Sequence, residues 1–463
     1  MGQNILAAFM VPHPPLIVPE VGRGGEKEIE LTTRSYESVA DEIARLDPET
    51  IIISSPHATM YADYFHISPG RGARGSFAGF RAPQVKFDEE YDTGLVEKIG
   101  DLSYKYSFPT GTMGERDREL DHGTMVPLYF IRRVLPSCKI VRVGLSGLPL
   151  TDHYRLGQII KEAVEDTGRR AVYVASGDMS HKLQEYGPYG FAPEGPQYDE
   201  RIMDVCGRGA FDELFDFDDT FCERAAECGH RSFVIMAGAL DGCAVRVHKY
   251  SHQDVTGVGY GICSFYPEGE DDGRRFLDIR LDRMERELTE KKNNSDAYVR
   301  LARKTIESYI SEGRIIDVPS DLPGEMTDRQ AGAFVSIHKH GALRGCIGTI
   351  MATTDSVAQE IINNAISAST KDPRFEPITK DELKWLDINV DILGDPEDID
   401  SPDELDVKRY GVIVTSGYKR GLLLPDLDGV DSVEQQIDIA RRKGGIGEHE
   451  RYKLQRFEVI RHY

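Results

Sequence analysis

Ile5-Leu6-Ala7-Ala8-Phe9-Met10-Val11-Pro12-His13-Pro14-Pro15 is an apolar run that ends on a histidine set between prolines. Such a run, short and closed by residues that cannot donate to a β-ladder, reads as a buried strand whose end is fixed by proline. The pattern recurs. Ile51 to Ile53 leads to His57 in Ser-Ser-Pro-His, and Ala171 to Ala175 leads to His181 in Ser-Gly-Asp-Met-Ser-His. A weaker fourth case, Glu227-Cys228-Gly229-His230, opens an apolar helical run. Strands of this kind belong to parallel sheets, which bind ligands beyond their carboxyl ends, so residues far apart in sequence are expected to meet in one crevice.

A chain of 463 residues exceeds the size at which one core stops growing, and two domains are expected. The formal charge of −22 repels phosphate backbones and anionic lipid, which argues against nucleic-acid and membrane-surface partners. No apolar stretch approaches membrane-spanning length, and Met1 to Met10 lacks the basic start of a signal peptide. The seven cysteines form no CxxC pair and leave an odd count, so free thiols in a cytoplasmic protein are the expectation.

Strand and helix patterns alternate from Asn4 to about Tyr266, which predicts an α/β sandwich over residues 1–270. Gly70 to Phe80 reads as a mobile loop near the pocket. Gly257, Gly259 and Gly261 lead into a strand rather than a helix, which rejects a dinucleotide site. The stretch 271–294 reads as a charged linker helix. Residues 295–463 then open with an amphipathic helix behind the capping residue Ser295 and continue with strand signals, an α+β pattern.

Two imidazoles and a carboxylate on one face of a metal leave positions open for substrate and oxygen, as in non-haem iron(II) oxygenases. His13 and His57 with Glu227 supply that set, and His230 is assigned to a helix surface. Val-Pro-His-Pro-Pro, Ser-Pro-His, Leu120 to Leu128 (Leu-Asp-His-Gly-Thr-Met-Val-Pro-Leu), Ser-Gly-Asp-Met-Ser-His and Glu-Cys-Gly-His-Arg-Ser-Phe resemble the ordered motifs of LigB-type class III extradiol dioxygenases. The resemblance implies that His13, His57 and Glu227 bind Fe(II), that His181 is the acid/base residue and His122 a second pocket histidine. It implies a catechol or aminophenol-type substrate with dioxygen. Asp121 and Asp178 are then candidates for orienting the imidazoles. The region around Cys-Gly also resembles the sister Memo family, which carries a cysteine ligand. Glu227 is the favoured ligand and Cys228 the alternative; the latter would make a softer site suited to copper or zinc.

In the second region, Leu343-Arg344-Gly345-Cys346-Ile347-Gly348-Thr349 places a cysteine between glycines. Cys346 is either a small buried hydrophobe or a thiolate nucleophile, with Arg344 favouring ionisation and His338 or His340 as bases. The run, with Asp372-Pro373-Arg374-Phe375 and Gly421 to Pro425, resembles the AMMECR family, a likeness that names the domain without naming a reaction. The fusion resembles the AmmeMemoRadiSam system and implies a radical SAM partner on a separate chain, since no CxxxCxxC motif is present. A non-catalytic metal-binding adaptor for that partner is the alternative to a dioxygenase.

Overall fold

The structure is a computed structural model that describes residues 4–115, 119–427 and 429–463. Backbone contacts divide the chain into two units, Met1–Arg280 and Leu281–Tyr463, and the division falls within the helix Phe276–Asn294.

The first unit is built on a six-stranded sheet in the order Lys139–Gly144, Thr50–Ser55, Ala171–Ser176, Ile5–Val11, Tyr260–Glu270, Cys243–Gln253. The first four strands are parallel to one another. The last two are antiparallel, so the sheet is mixed rather than wholly parallel. Their connection is too short for the crossover that parallel neighbours need, and it makes a hairpin instead. Alternate side chains of the first strand, Ala7, Phe9 and Val11, share a core with Tyr36, Val39 and Ile43 of the helix Glu30–Leu46 and with Val126 and Phe130 of the helix His122–Val134. The helices Leu150–Thr167 and His230–Ala239 pack on one another and on the strands Ile5–Val11 and Ala171–Ser176.

Strand register sets the crevice. Val11 pairs with Ser176 and Ser54 with Ala175, so three strands end at nearly one level. His13, His57 and Asp178 therefore follow close behind the last strand residues Val11, Ser55 and Ser176. Two glycines permit the backbone approach there. A Cβ on Gly177 would stand 2.1 Å from the Gly229 Cα, and one on Gly123 would stand 2.3 Å from the Ser55 Oγ.

Two readings of the sequence are corrected here. Gly70 to Phe80 is not a loose loop: Gly72–Phe77 pairs antiparallel with Ala82–Glu90, and the turn between them carries Phe80. His230 is not on a surface. The helix it opens is buried along nearly its whole length, and His230 is only 1% exposed, held by the Leu214 carbonyl and the Tyr198 hydroxyl.

The second unit is an antiparallel sheet in the order Ala342–Gly348, Ala333–Lys339, Leu386–Leu393, Lys453–His462, Tyr410–Ser416, Lys419–Leu423, with Glu397–Ile399 also paired to Lys453–His462. Helices Ala297–Glu312 and Val357–Thr370 cover the apolar residues Val335, Ile337, Ile388 and Val390 on one face. The helix Val433–Lys443 packs at the other end, against Tyr410–Ser416 and Lys419–Leu423.

Candidate metal centre

His13, His57 and Cys228 present donor atoms that all lie within 4.8 Å of one another. The Nε2 atoms of His13 and His57 are 3.1 Å apart, and the Cys228 Sγ is 3.6 Å from the His13 Nε2. Each of these two separations can be spanned by one ion at the usual ligand distances, about 2.0–2.1 Å to nitrogen and about 2.3 Å to sulfur. His13 is buried, His57 exposed and Cys228 between the two, so the group opens to solvent on the His57 side.

Hydrogen bonds decide which ring nitrogen of His13 is available. The Ser176 hydroxyl donates to the Gly123 carbonyl at 2.6 Å, and a carbonyl can only accept. The His13 Nδ1, 3.0 Å from the same oxygen, must therefore carry the proton, which leaves the Nε2 lone pair facing the site. Asp178 holds the other end of the residue by accepting the His13 backbone N–H at 2.7 Å. Burial raises the pKa of Asp178, opposed by His181 and by that N–H. Burial, reinforced by His57, lowers His13 to about 3, so the imidazole stands as a neutral donor at physiological pH.

His122 opens the helix His122–Val134, its ring centroid 3.9 Å from that of His57 and 5.4 Å from that of Phe80. Asp121 caps this helix by accepting the Thr124 N–H at 2.9 Å, and it also accepts the Ser55 hydroxyl at 2.6 Å. Burial opposes its ionisation, but the Arg142 guanidinium at 2.8 Å and these donors outweigh it and lower its pKa. A fixed negative charge thus lies beneath His57 and His122. His181 is oriented by a backbone carbonyl. Its Nδ1 donates to the Ala226 carbonyl at 2.5 Å, which again leaves Nε2 as acceptor, and its ring meets Tyr189 at 5.1 Å. The structure thus brings His13, His57, His122 and Cys228 together, with His181 and Asp178 near enough to His13 to act on its charge.

Glu227 is not among the converging donors in the described residues. Its Oε2 accepts the His230 N–H at 2.6 Å, the first N–H of the helix, which has no partner within the helix itself. The adjacent side chain, Cys228, takes the position against His13 that the sequence assigned to Glu227. Burial raises the Glu227 pKa to about 7, and it raises the Cys228 thiol well above its ordinary value, so the free thiol is protonated. A coordinated thiol is deprotonated outright, which makes the donor set chemically suited to a metal. The sequence assigned no role to Ser55, Ser176, Arg142, Phe80 or Tyr189, although Ser55 and Ser176 stand within its histidine motifs. Their partners are distant in the chain, and only the topology brings them to the site.

In the second unit, Arg344 does not serve Cys346. Its Nε lies 3.0 Å from Glu382, which also takes Lys339 at 3.1 Å. Cys346 has Ser336 Oγ at 3.2 Å from its sulfur, its N–H donates to Asp372 at 2.9 Å, and the nearby cation is Arg374. Burial raises its thiol pKa, opposed by Ser336 and Arg374. His340, in a left-handed turn conformation, lies against Trp385, with ring centroids 5.2 Å apart.

Comparison with known proteins gives a family to each region. The family described as catalytic LigB subunit of aromatic ring-opening dioxygenase matches residues 7–263, more than half of the chain, and the AMMECR1 family matches residues 299–462. A Clostridium acetobutylicum protein is 42% identical over 465 residues, covering 98% of each chain. A Thermotoga maritima protein is 49% identical over 167 residues, which cover 36% of this chain and 96% of that protein. A crystal structure of a Pyrococcus horikoshii protein, 31% identical, covers 35% of this chain and 88% of its own with a TM-score of 0.34. By the extent of the first match and the full-length relative, the chain belongs to the LigB family and carries an AMMECR1 domain behind its LigB domain.

Proposed function

We propose that the first domain is a metal-dependent oxidoreductase centre, with His13, His57 and Cys228 as ligands and a small phenolic aromatic plus dioxygen as substrates. The observation that carries this reading is the approach of two imidazole nitrogens and a thiol to 3.1 and 3.6 Å at the strand ends. Iron(II) is the ion expected with Glu227; sulfur in its place widens the choice to copper and zinc. A bound redox-active ion would supply electron transfer and acidify a phenolic oxygen beside it.

The remaining work falls to the chain. His181, with Nδ1–H committed to Ala226, offers Nε2 to receive the phenolic proton and to return it. His122 is placed to hydrogen-bond a second substrate oxygen. Phe80 beside His122 and Tyr189 beside His181 supply aromatic faces for a planar ring. Exposure of His57 leaves the approach open on its side.

Cys228 also favours a second reading, a metal-binding adaptor that assembles with a radical SAM enzyme and turns over nothing. Anaerobic loading of the full chain with Fe(II), Cu(I) or Zn(II), each followed by metal analysis and oxygen uptake against a catechol panel, separates the two. The oxidoreductase reading expects one bound ion and substrate-dependent oxygen uptake with a redox-active metal. It expects His181→Ala to keep the ion and lose the uptake. Full metal occupancy without uptake on any phenol supports the adaptor instead.

A further inference from the structure

Within the second unit, Arg303 sits on the helix Ala297–Glu312 with only 8% of its surface exposed. Its Nη2 donates to the Leu386 carbonyl at 3.1 Å, while its Nε is enclosed within the protein and has no partner there. The carboxylates whose charge reaches it, Glu307 and Asp387, are each engaged by a lysine of the preceding helix. Lys292 lies 2.9 Å from Glu307 and Lys291 lies 2.5 Å from Asp387. A buried guanidinium that must share its carboxylates with lysines is under-compensated, and an anion that reaches it relieves the cost. Arg303 lines a cavity of about 430 Å³ with Ser295, Val299, Ile388, Glu290 and Tyr463, a volume in the range of small-ligand pockets.

We infer that this cavity is a binding site for a small organic monocarboxylate, held by Arg303 through its carboxylate and by Val299 and Ile388 through its apolar body. A guanidinium matches a carboxylate in geometry as well as charge. The wall also carries Glu287 and Glu290 and the Lys291–Asp387 ion pair, a surplus of negative charge that opposes a dianion such as a phosphate ester more than a monoanion. The site is independent of the metal centre, since every lining residue belongs to the second unit.

Isothermal titration of the full chain with phenylacetate tests this, with phenylacetamide and inorganic phosphate as parallel ligands. Phenylacetate saturates one site, and the amide and phosphate bind at least about tenfold more weakly, the loss expected for a charge-assisted pair. Arg303→Met abolishes the binding. Asp387→Asn removes a competing negative charge at the rim and tightens it; because that residue is part of a solvent-accessible ion pair, this variant also gives a result if Arg303→Met fails to fold. Equal affinity for the amide, phenylacetate binding unchanged in Arg303→Met, weaker or unchanged binding in Asp387→Asn, or no saturation by the unmodified chain would each overturn the assignment.

Discussion

At His13 a single hydroxyl decides the chemistry. The Ser176 hydroxyl donates its hydrogen bond to the Gly123 carbonyl and so commits His13 to the tautomer that presents Nε2. Ser176→Ala is expected to lower metal affinity by about 10–100-fold, the usual effect of losing a partner behind a ligand, with the circular dichroism spectrum unchanged. Competition with a chromophoric chelator measures it; unchanged affinity would mean that the tautomer is set elsewhere. Cys346 gives a second prediction at this scale. Burial raises its thiol, and Arg344 belongs to Glu382, so its alkylation in native protein should have a midpoint above the ordinary thiol pKa, and Arg344→Ala should not change the rate. Peptide mass spectrometry after timed labelling reads both. The histidines were legible because proline and strand ends frame His13 and His57. The choice between Glu227 and Cys228 was not, since adjacent residues share every local signal and only the first N–H of the following helix draws one of them away. The roles of Ser176 and Arg142 were not legible because their partners come from other strands and helices.

Among the elements, the Lys339–Glu382–Arg344 cluster ties the strands Ala333–Lys339 and Ala342–Gly348 to the turn Lys380–Trp385. Burial opposes the charge of Glu382, but Arg344, Lys339 and the Thr379 N–H outweigh it and lower its pKa from 4.5 to about 2. A carboxylate whose folded pKa is depressed stabilises the fold above its unfolded value and loses that contribution as pH falls towards the folded one. The second domain should therefore lose stability between about pH 4.5 and pH 2, and Glu382→Gln should be less stable at neutral pH with a flatter dependence over that window. Urea titrations at several pH values check this; parallel curves for the two proteins would contradict it. Periodicity located the helix Ala297–Glu312, but its cap is Asp296, which accepts the N–H groups of Tyr298 and Val299, rather than Ser295. Two polar residues in succession offer the same capping signal, and the backbone decides between them. The hairpin Gly72–Phe77 with Ala82–Glu90 was hidden for a related reason. Its glycines and arginines imitate an irregular segment, whereas pairing to the following strand gives it order.

For the molecule as a whole, composition and motif order were enough to divide the chain into an α/β part and an α+β part. The sequence reads 271–294 as a linker helix; backbone contacts divide the chain at Arg280 and Leu281, within the helix Phe276–Asn294. No helix among the described residues is long and apolar enough to cross a membrane. The antiparallel edge of the first sheet was less legible, because strand direction depends on connection length rather than on the apolar run itself. The ligand set proposed for the first domain rests on sulfur rather than carboxylate completing the group with the two imidazoles. X-ray absorption at the metal edge of the reconstituted full chain tests this most directly. The account predicts one sulfur scatterer at about 2.3 Å beside nitrogen scatterers at about 2.0–2.1 Å, with the sulfur lost in Cys228→Ala and retained in Glu227→Gln. A spectrum with nitrogen and oxygen scatterers only, indifferent to Cys228→Ala and altered by Glu227→Gln, would contradict it.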